Sequence, residues 1–138
     1  MKQIFINLPV KDVEASMEFY KQLGFTINPL FTFENQKCMV WSDEIYVMLQ
    51  SYEMFKSGCK KNLPDTQQNA IATFTLNVES IERVNEMIKN GLSAGGIEPT
   101  PMVDEGFMQV RNIEDLDGHN WGIIYLNIEK FKEITGKK

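Results

Sequence analysis

The chain holds one histidine, two cysteines and two tryptophans in 138 residues. Imidazole chemistry has a single place to occur, His119. Two cysteines, Cys38 and Cys59, are too few and too far apart for a disulfide framework, so the expectation is two free thiols in a reducing cytoplasm. No apolar stretch nears the roughly 20 residues that span a bilayer. Lysine and arginine gather into no patch, and the acidic excess behind the net charge of −5 is scattered. That argues against nucleic acid or a membrane surface as a partner. The start, MKQIFINLPV, has neither a long apolar region nor a small-residue cleavage site, so no signal peptide is expected.

A hydrophobic content of 43% is enough for the core of one domain spanning residues 1–138. Residues 3–10 read as a strand with Phe5, Asn7 and Pro9 on one face and Ile4, Ile6, Leu8 and Val10 on the other. The second face is apolar and should pack on helices; the first mixes an aromatic ring, an amide and a proline, as a cavity wall does. Asp12 is an N-cap candidate for a helix with Val13, Ser16, Met17, Phe19 and Tyr20 on its stripe, ending at Gly24. Three strands are expected next, over Phe25–Phe33, Lys37–Ser42 and Ile45–Gln50.

The segment 51–69 is the least regular. Tyr52, Met54 and Phe55 suggest a short helix, and the remainder reads as a connection; the alternative is a lid carrying Met54 or Phe55. A strand over Ala70–Val78 follows, then Ser80 as N-cap of a helix with Ile81, Val84, Met87 and Ile88 on its stripe, ending in the glycine-rich 91–96. Pro99 and Pro101 interrupt a weak strand over Ile97–Val103. A hairpin then pairs Phe107–Glu114 with His119–Leu126 around the turn Asp115-Leu-Asp-Gly118, where carboxylates can fold back on N–H groups and Gly118 can take a positive φ. A terminal helix is expected over 127–135.

The order of elements thus repeats as β-α-β-β-β, with modules at 3–50 and 70–126. VKDVE at Val10 aligns with VESIE at Val78, a displacement that also lays Glu18 on Glu86 and Lys21 on Lys89. One helix cannot cover both faces of such a module. Two modules placed edge to edge would form a cupped, eight-stranded mixed sheet, α+β in class, with helices outside and a cavity inside.

The sequence resembles the vicinal-oxygen-chelate superfamily of glyoxalase I, bleomycin-resistance proteins, fosfomycin-resistance transferases and extradiol dioxygenases. The matching residues are Leu8–Ser16 (LPVKDVEAS) with Phe19–Phe25 (FYKQLGF), then Ala94-Gly-Gly96, Gly106-Phe-Met108 and Asp115–Trp121 (DLDGHNW). The resemblance implies the paired-module fold and, in metal-dependent members, one divalent ion held by histidine and glutamate ligands. The corresponding positions here are Phe5, Met48, Thr73 and Gly122. None is an ordinary ligand for nickel, zinc, manganese or iron, so the resemblance implies a member with no metal and no cofactor.

Counting parity from those positions gives a lining of Phe5, Asn7, Tyr46, Met48, Gln50, Thr73, Thr75, Asn120, Gly122 and Ile124, with Gln109 and Arg111 added from the neighbouring strand. Such a lining suits a small or flat organic ligand held by stacking and a few hydrogen bonds rather than acid–base catalysis. The blander alternative is that these side chains only fill the interior. His119, in the turn motif, reads as structural. Cys38 reads as core. Cys59, beside Lys60 and Lys61, has a favoured thiolate but no base nearby in sequence. Three functions remain open: metal-free binding of a small molecule, a lyase, dioxygenase or thiol transferase with a displaced metal site, and an interaction module with its interior filled. A homodimer is expected from the resemblance.

Overall fold

The computed structural model describes all 138 residues, which divide into two compact units, Met1–Asn69 and Ala70–Lys138. The first unit contains β1 (Ile4–Pro9), α1 (Val13–Leu23), β2 (Thr26–Ile27), β3 (Gln36–Val40), β4 (Ile45–Gln50) and α2 (Tyr52–Gly58). The second contains β5 (Thr73–Asn77), α3 (Ile81–Ser93), β6 (Val103–Asp104), β7 (Met108–Glu114), β8 (Asn120–Leu126) and α4 (Ile128–Thr135). The eight strands form two four-stranded mixed sheets, ordered β1-β4-β3-β2 and β5-β8-β7-β6. Each has one parallel pair, β1 with β4 and β5 with β8, and is otherwise antiparallel. The repeated β-α-β-β-β order therefore reflects one topology used twice.

Local chemistry explains the helix ends. Asp12 caps α1, accepting from the N–H groups of Glu14 and Ala15, and Gly24 closes it at φ 125°. Ser80 caps α3 by accepting from Arg83 N–H. The helix stripes meet the apolar faces of their own sheets. In the first unit Phe19, Tyr20 and Leu23 of α1 are buried along with Leu8, Met39, Val47 and Leu49. In the second, Val84, Met87 and Ile88 of α3 are buried along with Leu76, Ile113, Trp121 and Ile123. Ile4 departs from the expected apolar face: it starts the strand and is 55% exposed.

Three expected strands are shorter than their apolar patterns. Over Phe25–Phe33 the paired strand is Thr26–Ile27, with Phe33 forming a single bridge to Gln36, because Asn28 accepts from Leu30 N–H and Pro29 opens a 3-10 turn through Phe31. Over Ile97–Val103 only Ile97 bridges, to Glu114, and Val103 starts β6; Pro99 and Pro101 supply no N–H to the stretch between them. Over Ala70–Val78 the paired strand is Thr73–Asn77. In the 51–69 segment α2 forms as expected, with Ser51 accepting from Met54 N–H as its cap. Gly91 lies inside α3, which runs to Ser93, so the helix enters the glycine-rich stretch.

Candidate functional site

The long helices α1 and α3 each pack on one face of their own sheet, and α2 also meets β1 and β4. The strand pairings fix which side chains share the face opposite α1 or α3, termed the helix-free face. In the first unit Phe5 pairs with Tyr46, Asn7 with Met48 and Pro9 with Gln50. On the next strand Tyr46 faces Val40, Met48 faces Cys38 and Gln50 faces Gln36. These residues share the helix-free face. Lys37, of opposite parity, is on the helix side, where its Nζ meets Glu14 of α1 at 2.7 Å and the Phe33 carbonyl at 2.8 Å. The rings of Phe5 and Tyr46 stack, with centroids 4.7 Å apart and planes 11° from parallel. Phe5 is 45% exposed, whereas Met48, Gln50 and Gln36 are buried. Gln50 Nε2 donates to Gln36 Oε1 at 2.8 Å, and Gln36 Nε2 donates to the Phe31 carbonyl at 3.1 Å.

In the second unit Thr73 pairs with Asn120, Thr75 with Gly122 and Asn77 with Ile124. Across β7 these face Glu114, Asn112 and Val110. A side chain on Gly122 would have little room: a Cβ there would stand 3.2 Å from Thr75 Oγ1 and 3.3 Å from Asn112 Oδ1. Asn120 Nδ2 donates to Asn112 Oδ1 at 3.2 Å, and Asn112 Nδ2 donates to Thr100 Oγ1 at 3.3 Å.

Two of the expected lining residues lie on the opposite face. Gln109 and Arg111 share parity with Ile113, which is buried on the helix side. Arg111 makes a bidentate ion pair with Glu98, both N···O distances 2.8 Å, and donates to Asn85 of α3 at 3.0 Å. Those hydrogen bonds hold the Glu98 carboxyl below its ordinary range and outweigh its partial burial; the same contact pushes the Arg111 guanidinium up. Gln109 donates to Asp104, which also accepts from Gly106 N–H; both bonds favour the charged carboxylate and lower its pKa. The residues of β7 on the helix-free face are Val110, Asn112 and Glu114. The signal that finds them is the register of the Asp115–Gly118 turn, which pairs Glu114 with Asn120 and so gives the two residues one facing.

The turn itself forms as its sequence implies. Asp115 accepts from the N–H groups of Asp117 and His119, each at 2.9 Å, and Gly118 has φ 85°. His119 is buried, 3% exposed, in this turn. Cys38 is fully buried, which pushes its thiol pKa up. Cys59 is partly exposed in a groove of about 400 Å³ with Lys56, Lys60 and Lys61. A shallow groove of about 410 Å³ follows the segment 98–102 beside Arg111. Neither groove includes a residue of the stacked aromatic face.

The positions where the resemblance implies metal ligands are occupied in the first unit by a phenyl ring (Phe5) and a thioether (Met48). In the second they are a threonine hydroxyl (Thr73) and a glycine (Gly122). The strand registers place Met48 beside Asn7 and Gly122 beside Thr75, equivalent points of the two modules. The structure contains no group of three or more His, Cys, Asp or Glu side chains able to hold a metal ion. These donors do not fit a divalent ion of the nickel, zinc, manganese or iron kind.

Comparison with known proteins agrees with the geometry. Residues 2–42 match the family model of the bleomycin resistance protein-like N-terminal region. A hypothetical protein from S. aureus has a similar structure, with a TM-score of 0.75 and 26% identity over 91% of this chain and 94% of that one. A glyoxalase-related enzyme from Fulvimarina pelagi also aligns at a TM-score of 0.75, with 19% identity over 91% and 88% of the two chains. The bleomycin resistance determinant encoded on transposon Tn5 aligns at 0.63, with 18% identity over 91% and 98%. No curated protein matches the chain by sequence.

Proposed function

We propose that this chain, whose residues 2–42 match the bleomycin resistance protein-like N-terminal model and whose fold is that of the glyoxalase and bleomycin-resistance proteins, belongs to the vicinal-oxygen-chelate superfamily and binds a small organic molecule on the helix-free side of its sheets, without a metal ion. The observation that carries this reading is the stacked, half-exposed pair of Phe5 and Tyr46, flanked by Asn7, Met48 and Gln50. A ring pair with an exposed edge offers apolar area and stacking to a flat ligand, and the neighbouring amides offer a few directional hydrogen bonds. Among these five residues the only titratable group is the Tyr46 phenol, which accepts from Gln3 Nε2; with no carboxylate, imidazole or amine beside it, the face favours binding over acid–base catalysis. On the second unit, Thr73, Thr75, Asn120 and Gly122 present the same neutral chemistry, with Glu114 the one ionisable group beside them.

The test is thermal melting of chelator-treated protein against nickel, zinc, manganese and ferrous ions, and against flat aromatic fragments such as indole and quinoline. A ligand of the native state raises stability by about RT ln(1 + [L]/Kd), roughly 2.7 kcal/mol at a hundredfold excess over Kd. A fragment-dependent rise that is lost in Phe5→Ala, with none from the ions, is the expected result. A saturable rise with one ion overturns metal-free binding and puts a metal-dependent lyase, dioxygenase or thiol transferase in its place.

A further inference from the structure

Each unit carries a short relay of carboxamides on its helix-free face. In the first, the Phe31 carbonyl can only accept, so Gln36 must donate to it, Gln50 must donate to Gln36, and the relay ends on Gln50 Oε1. In the second, Asn112 donates to Thr100 Oγ1 and Asn120 donates to Asn112 Oδ1, so the relay ends on Asn120 Oδ1. That oxygen is closed to solvent and accepts no hydrogen bond. Buried polar atoms are nearly always paired, so an orphan calls for a partner supplied from outside the fold. Gly122 helps to hold the arrangement: a methyl group there would press on both Thr75 Oγ1 and Asn112 Oδ1, and Asn112 Oδ1 is what orients Asn120.

We propose that Asn120 Oδ1 receives an N–H of the bound molecule, so that the ligand class carries a primary amide, an amidine or a similar donor-rich nitrogen group. This deepens the small-molecule reading and rests on it. Because the oxygen is covered, the Asn120 carboxamide or a neighbour must shift as the donor enters, and binding will register at the Asn120 and Asn112 side-chain amides. A site built around one hydrogen bond rejects an analogue that lacks the bonding group far more strongly than an apolar wall rejects a missing methylene.

The experiment is a titration of the full chain, followed by ¹⁵N–¹H spectra that include side-chain amides. The probes are benzamide, benzamidinium and N,N-dimethylbenzamide, which keeps the ring and carbonyl but has no N–H. Benzamide and benzamidinium are expected to shift the Asn112 and Asn120 amides saturably, with the dimethylated probe at least tenfold weaker. Asn120→Leu should abolish the response. Asn120→Asp keeps an acceptor and adds charge, so it should shift preference from benzamide to benzamidinium by tenfold or more, which a merely misfolded variant would not do. An equal response to N,N-dimethylbenzamide overturns the donor requirement and leaves small-molecule binding standing; it is also what a relay of reversed direction, ending on an NH₂ group, would give. Shifts confined to the Phe5–Tyr46 face have the same meaning. No saturable shift on either face with any probe overturns both.

Discussion

Cys38 and Cys59 carry the same functional group in opposite environments. The Cys38 side chain has no exposed surface, and burial without compensation holds its thiol in the neutral form. Cys59 is partly exposed beside Lys56, Lys60 and Lys61. Disulfide exchange needs a sulfur the reagent can reach, so exposure points to Cys59. The native protein is therefore expected to react with one equivalent of 5,5′-dithiobis(2-nitrobenzoate), and with a second only after denaturant is added. Cys59→Ser should remove the fast equivalent and leave the slow one. Fast reaction of both thiols in native protein would contradict the buried placement of Cys38. For these two residues sequence context was sufficient, because an apolar alternating strand and a lysine-flanked loop differ locally. The site residues Asn112 and Asn120 show the opposite. Nothing local says that they hydrogen-bond, because the contact crosses two strands and depends on the register set by the turn at 115–118.

At the scale of elements, caps and turns were legible and strand lengths were not. Asp12, Gly24, Ser80 and Gly118 act through neighbours within four residues, so their chemistry is readable from a short window. The stretch Phe25–Phe33 reads as one strand, yet Asn28-Pro29 turns its middle into a 3-10 segment that leaves Leu30 and Phe33 largely exposed. The strap at 97–102 is likewise unpaired beyond the Ile97 bridge to Glu114, and the facing of β7 is set by its register with β8. Arg111 ties that strap to the helix side through Glu98 and Asn85, so an arginine expected to meet ligand serves packing. Its partner's carboxyl has a lowered pKa in the folded state. Stability from the pair is therefore fully present above the unfolded glutamate value of about 4.3, and is lost as pH falls through the lower folded value. Glu98→Gln should cost a few tenths to about 1 kcal/mol at pH 7, as partly exposed ion pairs do, and less at pH 3. Urea unfolding of wild type and variant at the two pH values measures this. A pH-independent difference would mean that packing of the side chain, and not its charge, holds the strap.

At the scale of the whole chain, the repeat was the most legible feature, because it rests on the order of elements and not on their exact ends. The two sheets share a strand order, and in each the first strand pairs in parallel with the last. Each unit also builds its own core. In the second, Ile113 and Trp121 are register partners on β7 and β8, and neither has exposed surface. In the first, Trp41 lies against Phe25, ring centroids 5.2 Å apart, and gives that unit its own fluorophore. Ile113→Ala removes atoms from a closed cluster and leaves a cavity, which typically costs 2–5 kcal/mol. The loss falls first on the unit that contains it. In variants keeping one tryptophan, made with Trp41→Phe or Trp121→Phe, Ile113→Ala should lower the denaturation midpoint reported by Trp121 by more than that reported by Trp41. If both fall equally, the units unfold as one cooperative body, and a defect anywhere in either core is felt by both sheets at once.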